Sequence, residues 1–486
     1  MIVTSLEQEF ERYRQHTIGH GAAFETPYGS QRLIYADWIA SGRLYAPLEE
    51  RLLNVFGPMV GNTHSESSVT GTTMTQAYHE AREIIKRHVN AGPADVLLAC
   101  GSGMTGAVCK LQRLLGLTVP SRLKDYVNLP EEIRPVVFIT HMEHHSNQTT
   151  WEETLADVVC LPPDEAGLVD VDTLRREIVR FPDRPKIGAF TACSNVTGIR
   201  TPYSELARVM HEHGGVCFVD FAGNAPYDDI DIHPADEGAK LDAIYFSPHK
   251  FLGGPGSAGI LIFDSALYRN TVPDQPGGGT VSWTNPWGGH SFFSDIELRE
   301  DGGTPGFLQA IRAALVIRLK EVIGTDLMRA RERELLEQAF AGLRRVPGLV
   351  ILADSQEDRI GAISFYIEDV HYNLIVKLLN DRYGVQVRGG CSCAGTYGHY
   401  LLHVDPTRSK SITDRIDQGD LSTKPGWVRL SVHPMMTDAE LATVVDGLQE
   451  IVANLPELEA DYEYDPHTNE YRHRAESPAP VAGWFD

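Results

Sequence analysis

Between about residues 94 and 265 the chain alternates short apolar runs with longer segments whose apolar positions recur at helical spacing. The runs are Val96–Cys100, Val136–Thr140, Val158–Leu161, Ile187–Thr191, Val216–Asp220, Ala243–Ser247 and Gly259–Phe263. Strands that are apolar throughout are buried on both faces. The stretch therefore predicts an α/β sheet rich in parallel strands, with chemistry at the strands' carboxyl ends. Thr201-Pro202 reads as a cap followed by proline at the first helical position, in a helix that ends near His213-Gly214-Gly215.

The flanks read differently. Ser5-Leu6-Glu7-Gln8 has capping-box spacing, and Leu6, Phe10 and Tyr13 share a helical face, so a short packing helix opens the chain. Residues 271–306 are rich in Gly, Pro, Ser and Trp and predict a functional or interface loop. Helical patterns at Phe307–Val322 and Asp326–Arg345 follow. Strand patterns come next at Leu349–Leu352, Ala362–Ile367, Val385–Arg388 and Trp427–Ser431, then a helix opened by Thr437-Asp438-Ala439-Glu440. The expected division is an N-terminal arm (1–33), a large α/β domain (34–305), a smaller α+β domain (306–456) and a tail (457–486) that reads as solvated.

Composition narrows the class. With 486 residues and 42% hydrophobic content, the chain can bury a large core. Its 43 basic against 66 acidic residues leave a formal charge of −23, which disfavours nucleic acid and anionic membrane as partners; an anionic cofactor needs local donors. The start reaches charged residues at once, and no apolar run has the roughly 18–20 residues of a spanning helix. Seven cysteines, several of them inside apolar runs, argue against a disulfide framework and for a cytoplasmic setting.

The candidate chemistry starts from two residues. Asp220 ends an apolar strand, where an unpaired charge is costly. Lys250 follows the next strand, within Ser247-Pro248-His249-Lys250-Phe251-Leu252-Gly253-Gly254-Pro255-Gly256. An amine able to form a Schiff base, paired with a carboxylate able to keep a pyridine nitrogen protonated, implies bound pyridoxal phosphate. Gly101-Ser102-Gly103-Met104-Thr105-Gly106 places a glycine turn before a helix N-terminus, and with Ser247, His249 and Thr280 it makes a phosphate cup. In His141-Met142-Glu143-His144-His145 one ring can stack on the pyridine; His141 and His145 also leave a zinc hydrolase as a remote alternative. Arg388 suits an amino-acid carboxylate, and Cys393, five residues on, is either a nucleophile or a structural thiol.

Together these stretches resemble the class V aminotransferase family of fold-type I pyridoxal-phosphate enzymes, especially its cysteine desulfurase and selenocysteine lyase branch. The resemblance runs from about Ile34 to about Val432. Its landmarks are Tyr35-Ala36-Asp37-Trp38-Ile39-Ala40-Ser41-Gly42, Gly61-Asn62-Thr63-His64-Ser65, Glu143-His144-His145-Ser146-Asn147, Ser194-Asn195-Val196-Thr197-Gly198, Val219-Asp220, Ser247-Pro248-His249-Lys250 and the turn from Arg388 to Cys393.

By that resemblance Lys250 carries the Schiff base, Asp220 pairs with the ring nitrogen and His144 stacks on the ring. Asn195 contacts the ring's oxygen side and the substrate, while Met104, Thr105, Ser247 and His249 form the phosphate end. Thr280 matches a position that reaches the phosphate of a neighbouring subunit, which implies a homodimer with shared sites. Arg388 matches the substrate-carboxylate arginine and Cys393 the persulfide-forming cysteine, whose sulfur an acceptor protein would take. Two departures leave an aminotransferase, lyase or epimerase open. Gly223, followed by Asn224, stands where desulfurases commonly have glutamine, and Ala394-Gly395-Thr396-Tyr397 replaces their usual Ala-Gln-Pro continuation.

Overall fold

The computed structural model describes residues 5–63, 66–475, 481 and 483–486; His64 and Ser65 of the landmark Gly61–Ser65 lie outside the described residues. A seven-stranded sheet runs in the order Asp95–Cys100, Gly259–Asp264, Ala243–Phe246, Val216–Asp220, Lys186–Thr191, Val136–Thr140, Asp157–Leu161. Gly259–Asp264 is antiparallel to both its neighbours, and the remaining pairings are parallel. The central strands Val136–Thr140 and Lys186–Thr191 are buried at every position, as helices on both faces require. Asp157–Leu161, at the edge, is only partly covered.

A second, antiparallel sheet joins Leu349–Ile351, Ala362–Ile367, Trp427–Ser431 and Arg388–Gly390. The single strand expected over 385–388 is in fact two. Val385–Gln386 pairs in parallel with Ile34–Tyr35, while Arg388–Gly390 turns to the second sheet. This split brings the Tyr35–Gly42 landmark beside the arginine-bearing strands.

The opening helix Leu6–Arg14 has both halves of its capping box and buries Phe10 and Tyr13. Three other expectations are corrected. Pro202 is the cap of the helix Tyr203–Glu212 and not its first residue, because its ψ of 52° is not helical. The 271–306 segment holds structure of its own: a hairpin of Val281–Thr284 with His290–Phe292, which leaves Trp287 exposed, and the short helix Ile296–Arg299. The tail is not simply solvated. Tyr462–Asp465 pairs with Glu470–His473, the Tyr462 hydroxyl donates to Asp381 Oδ2 at 2.9 Å, and Asn469 Nδ2 donates to the Tyr372 hydroxyl at 2.7 Å.

Candidate active site

Asp220 and Lys250 occupy the carboxyl ends of adjacent parallel strands, where their backbones diverge into turns. Asp220 is buried and accepts from the Ala222 amide at 2.8 Å. Burial raises its carboxyl to about 6, against the pull of that amide and of the Lys250 charge. Lys250 lies in the 3-10 turn Pro248–Lys250, and burial pushes its amine down to about 8 while Asp220 holds it up. The pair is thus poised around neutrality by desolvation.

The turn is fixed from behind by Gly42, whose amide donates to the His249 carbonyl at 2.9 Å. A Cβ on Gly42 would stand 1.9 Å from the Phe251 carbonyl oxygen and 3.0 Å from that of Lys250, so only glycine permits this approach. At the other end, Ser247 Oγ accepts from the Met104 amide at 2.8 Å and caps the start of the helix Met104–Leu114. Thr105 Oγ1 lies 2.7 Å from Ser146 Oγ, and His249 Nδ1 lies 3.4 Å from Ser41 Oγ. Hydroxyls and a helix N-terminus therefore converge on one small region.

His144 caps the helix His145–Glu152 by accepting from the Ser146 amide at its Nδ1, 3.1 Å away. Burial, reinforced by the Lys250 charge, holds the ring down to about 3, so at neutral pH it is an uncharged plate. Below it lies a buried network. Glu143 accepts from the Thr140 hydroxyl (2.7 Å), the Thr191 amide (2.9 Å) and Asn147 Nδ2 (2.8 Å), and burial raises it to about 7.

Residues from the second sheet close the other side. Asn195 Nδ2 donates to the Ser392 carbonyl at 2.7 Å, while its Oδ1 is buried with no hydrogen-bond partner. Cys393 is exposed, in the left-handed region at φ 57°, immediately after Ser392 at φ 51°. The turn is stitched to the histidine segment twice: the His145 amide donates to the Cys393 carbonyl at 2.7 Å, and the Gly395 amide donates to His145 Nε2 at 2.9 Å.

The arginine that reaches this centre is Arg429, which the sequence reading missed. It is 3% exposed, donates to Asp37 Oδ1 at 2.7 Å and to the Asn195 carbonyl at 3.3 Å, and leaves its Nε unpaired. Its charge acts on both Lys250 and His144. Arg388, singled out earlier, is half-exposed and bound through Nε to Asp37 Oδ2 at 3.0 Å. A cation in the middle of the apolar run Trp427-Val428-Arg429-Leu430 was the available signal.

Thr280 is not brought into this cluster. It is fully buried, and its hydroxyl closes its own turn by donating to the Gly277 carbonyl at 2.7 Å and accepting from the Gly277 amide at 3.1 Å. The zinc alternative loses its ligands to the backbone: His141 Nε2 faces the Gly167 carbonyl, His145 Nε2 takes the Gly395 amide, and Glu143 is enclosed below. Gly223 packs against the Cys193 carbonyl, which a Cβ would meet at 3.1 Å, and Asn224 turns away to Asp228, so neither supplies the missing glutamine.

The residues present fit pyridoxal phosphate. They comprise a recessed amine and a carboxylate at neighbouring strand ends, an uncharged imidazole, an orphaned amide oxygen at Asn195 and a hydroxyl-lined helix start.

The profile of the class-V aminotransferases matches residues 34–444. Among curated proteins, the chain is 29% identical over 366 residues to a probable cysteine desulfurase of Halalkalibacterium halodurans, covering 74% of this chain and 84% of that protein. It is likewise 29% identical over 374 residues to one of Staphylococcus epidermidis, covering 76% and 85%. In fold it is similar to the apo cysteine desulfurase of Thermococcus onnurineus, with TM-score 0.72, 20% identity and coverage of 91% of this chain and 98% of that one. A cysteine desulfurase of Escherichia coli gives TM-score 0.67 at 23% identity, covering 87% and 94%.

Proposed function

The chain belongs to the class-V aminotransferase family of pyridoxal-phosphate-dependent enzymes, and from that premise we propose that it cleaves the carbon–sulfur or carbon–selenium bond of an amino acid with Cys393 as nucleophile. The observation that carries this reading is the placement of Cys393: an exposed thiol on a left-handed turn, fastened to His145 and within the field of Arg429. The names of the relatives point the same way.

Bound pyridoxal phosphate supplies an electron sink that makes the substrate's α-proton acidic. Lys250 would hold the cofactor's aldehyde and is placed to move the substrate's α-proton; its lowered basicity suits that task near neutrality. Asp220 would keep the ring nitrogen protonated, and the uncharged His144 would cover the ring face. Ser247, His249, Thr105 and the helix start at Met104 would hold the phosphate. Arg429 receives the substrate carboxylate in place of Arg388, because of the two it is the buried guanidinium, and its Nε is unpaired. The sulfur of Cys393 attacks the substrate sulfur: an S–S bond forms as the C–S bond breaks, the bonding pair stays on Cβ, Cβ takes the proton that the Cys393 thiol gives up, and Lys250 returns the α-proton to Cα, which completes alanine.

On this reading the units are the arm 1–33, a cofactor-binding unit 34–305, a smaller unit 306–456 and a docked C-terminal segment. The enzyme works as a homodimer and hands its sulfur to an acceptor thiol. Among the described residues no helix is long and apolar enough to cross a membrane, which fits work in the cytoplasm. The test is to incubate the purified yellow protein with cysteine and score sulfide, alanine and keto acid separately, for wild type and Cys393→Ser. Loss of sulfide and alanine in the variant, with cofactor absorbance intact, supports the reading. Undiminished sulfide and alanine in the variant remove the nucleophile role and leave Cys393 structural; keto acid instead assigns the chain to transamination.

A further inference from the structure

Arg388 and Arg429 stand directly opposite each other in the antiparallel pair formed by Arg388–Gly390 and Trp427–Ser431. Two cations facing each other across a ladder repel, and an anion between them relieves that repulsion. Asp37 supplies it from a distant part of the chain, giving Oδ2 to Arg388 Nε at 3.0 Å and Oδ1 to Arg429 Nη2 at 2.7 Å. The parallel pairing of Ile34–Tyr35 with Val385–Gln386 sets Asp37 at that point.

The consequence is one of charge. Two guanidiniums share one carboxylate, which leaves a single net positive charge at the mouth of the site, beside an uncharged His144. One α-carboxylate neutralises it. A second anionic group on the substrate would find Arg388 held through its Nε and its charge offset by the Asp37 carboxylate, whose own negative charge repels a further anion the more as water leaves.

We propose that Asp37 is a specificity-determining residue: by sharing one carboxylate between Arg388 and Arg429, it restricts the site to amino acids with an uncharged side chain and disfavours dicarboxylic ones. Asp37 acts by setting the charge available from Arg388, whose Nη groups make no hydrogen bond among the described residues. The inference rests on the reading of Arg429 as the carboxylate holder, and it is independent of the sulfur chemistry.

The test uses non-reacting acids that lack an amine. Propionate and succinate are titrated into the holoenzyme by calorimetry, with thermal shift as a second readout. The wild type should bind propionate at least tenfold more tightly than succinate, and Asp37→Asn should move that ratio at least tenfold toward succinate. Arg388→Gln, which leaves Asp37 wholly to Arg429, should weaken propionate about tenfold; this variant decides the matter if Asp37→Asn does not fold. A ratio within twofold of wild type in a folded Asp37→Asn, or unchanged propionate binding in Arg388→Gln, overturns the proposal. Failure of propionate to bind the wild type at all would overturn the carboxylate role of Arg429 with it. Absent sulfide production with selectivity intact would instead count only against C–S cleavage.

Discussion

The backbone of Cys393 is held by His145, whose amide donates to the Cys393 carbonyl at 2.7 Å while its Nε2 accepts from the Gly395 amide. His145 is also the residue after His144, so the Cys393 turn and the uncharged imidazole of His144 are spaced by one peptide unit and two hydrogen bonds. His145→Ala removes the imidazole acceptor and leaves the Gly395 amide unpaired, at a cost of about 1–2 kcal/mol. The expected outcome is a roughly tenfold lower kcat for sulfide release with an unchanged KM and an unchanged cofactor spectrum, measured by steady-state kinetics.

Arg429 is the next point of leverage. Replacing it with Lys keeps the charge but loses the planar fork that can serve Asp37, Asn195 and a substrate carboxylate together. KM for the amino acid should rise by about 30- to 100-fold, matching a loss of about 2–3 kcal/mol in a charge-assisted contact. Arg388→Lys, at a half-exposed side chain, should change KM far less.

Gly42 carries a steric prediction. A methyl group there meets the Phe251 carbonyl at 1.9 Å, against backbone that has nowhere to retreat without moving Lys250. Gly42→Ala should lower cofactor affinity at least tenfold, read by equilibrium dialysis, and should also depress the Tm of the cofactor-free protein.

The pH dependence of stability follows from Asp220. In the cofactor-free chain its carboxyl sits at about 6, above the ordinary 3.8. A group held above its unfolded value contributes stability that is complete below about 3.8 and is lost as pH rises through about 6. A pyridinium across from it removes that loss. The difference in Tm between loaded and cofactor-free protein should therefore widen from pH 5 to pH 7.5, and Asp220→Asn should flatten the widening.

The docked C-terminal segment is testable by Tyr462→Phe. The change deprives the buried Asp381 carboxylate of one donor and should cost about 1–2 kcal/mol in denaturant unfolding, with cysteine kinetics unaffected.

What could be read from the chain in advance follows its periodicities. The seven strands of the large sheet are continuous apolar runs, and their ends were located to within a residue or two, because burial on both faces leaves no other composition. Lys250, Asp220 and the helix start at Met104 were visible for the same reason: each is a polar break at the end of an apolar run. Arg429 was not, because it lies inside its strand, and its partner Asp37 is 392 residues away. Thr280 lies outside the cluster of its own chain, with its hydroxyl bonded within its own turn, an arrangement that leaves no trace in one dimension. The C-terminal hairpin was missed because its aromatic residues are diluted by charges, and its burial depends on Tyr372 and Asp381 far upstream.

The two-residue pairing of Ile34–Tyr35 with Val385–Gln386 has a consequence for the order of assembly. Its strands are 351 positions apart, so Ile34 waits for its neighbour while the intervening chain is made, about 20–70 s at ribosomal speeds of about 5–20 residues per second. Asp37 rides on that segment. The large sheet can therefore close during synthesis, while Asp37 waits for both of its arginines until the ribosome has passed residue 429. Maturation of the pocket thereby waits for residue 429 to be made.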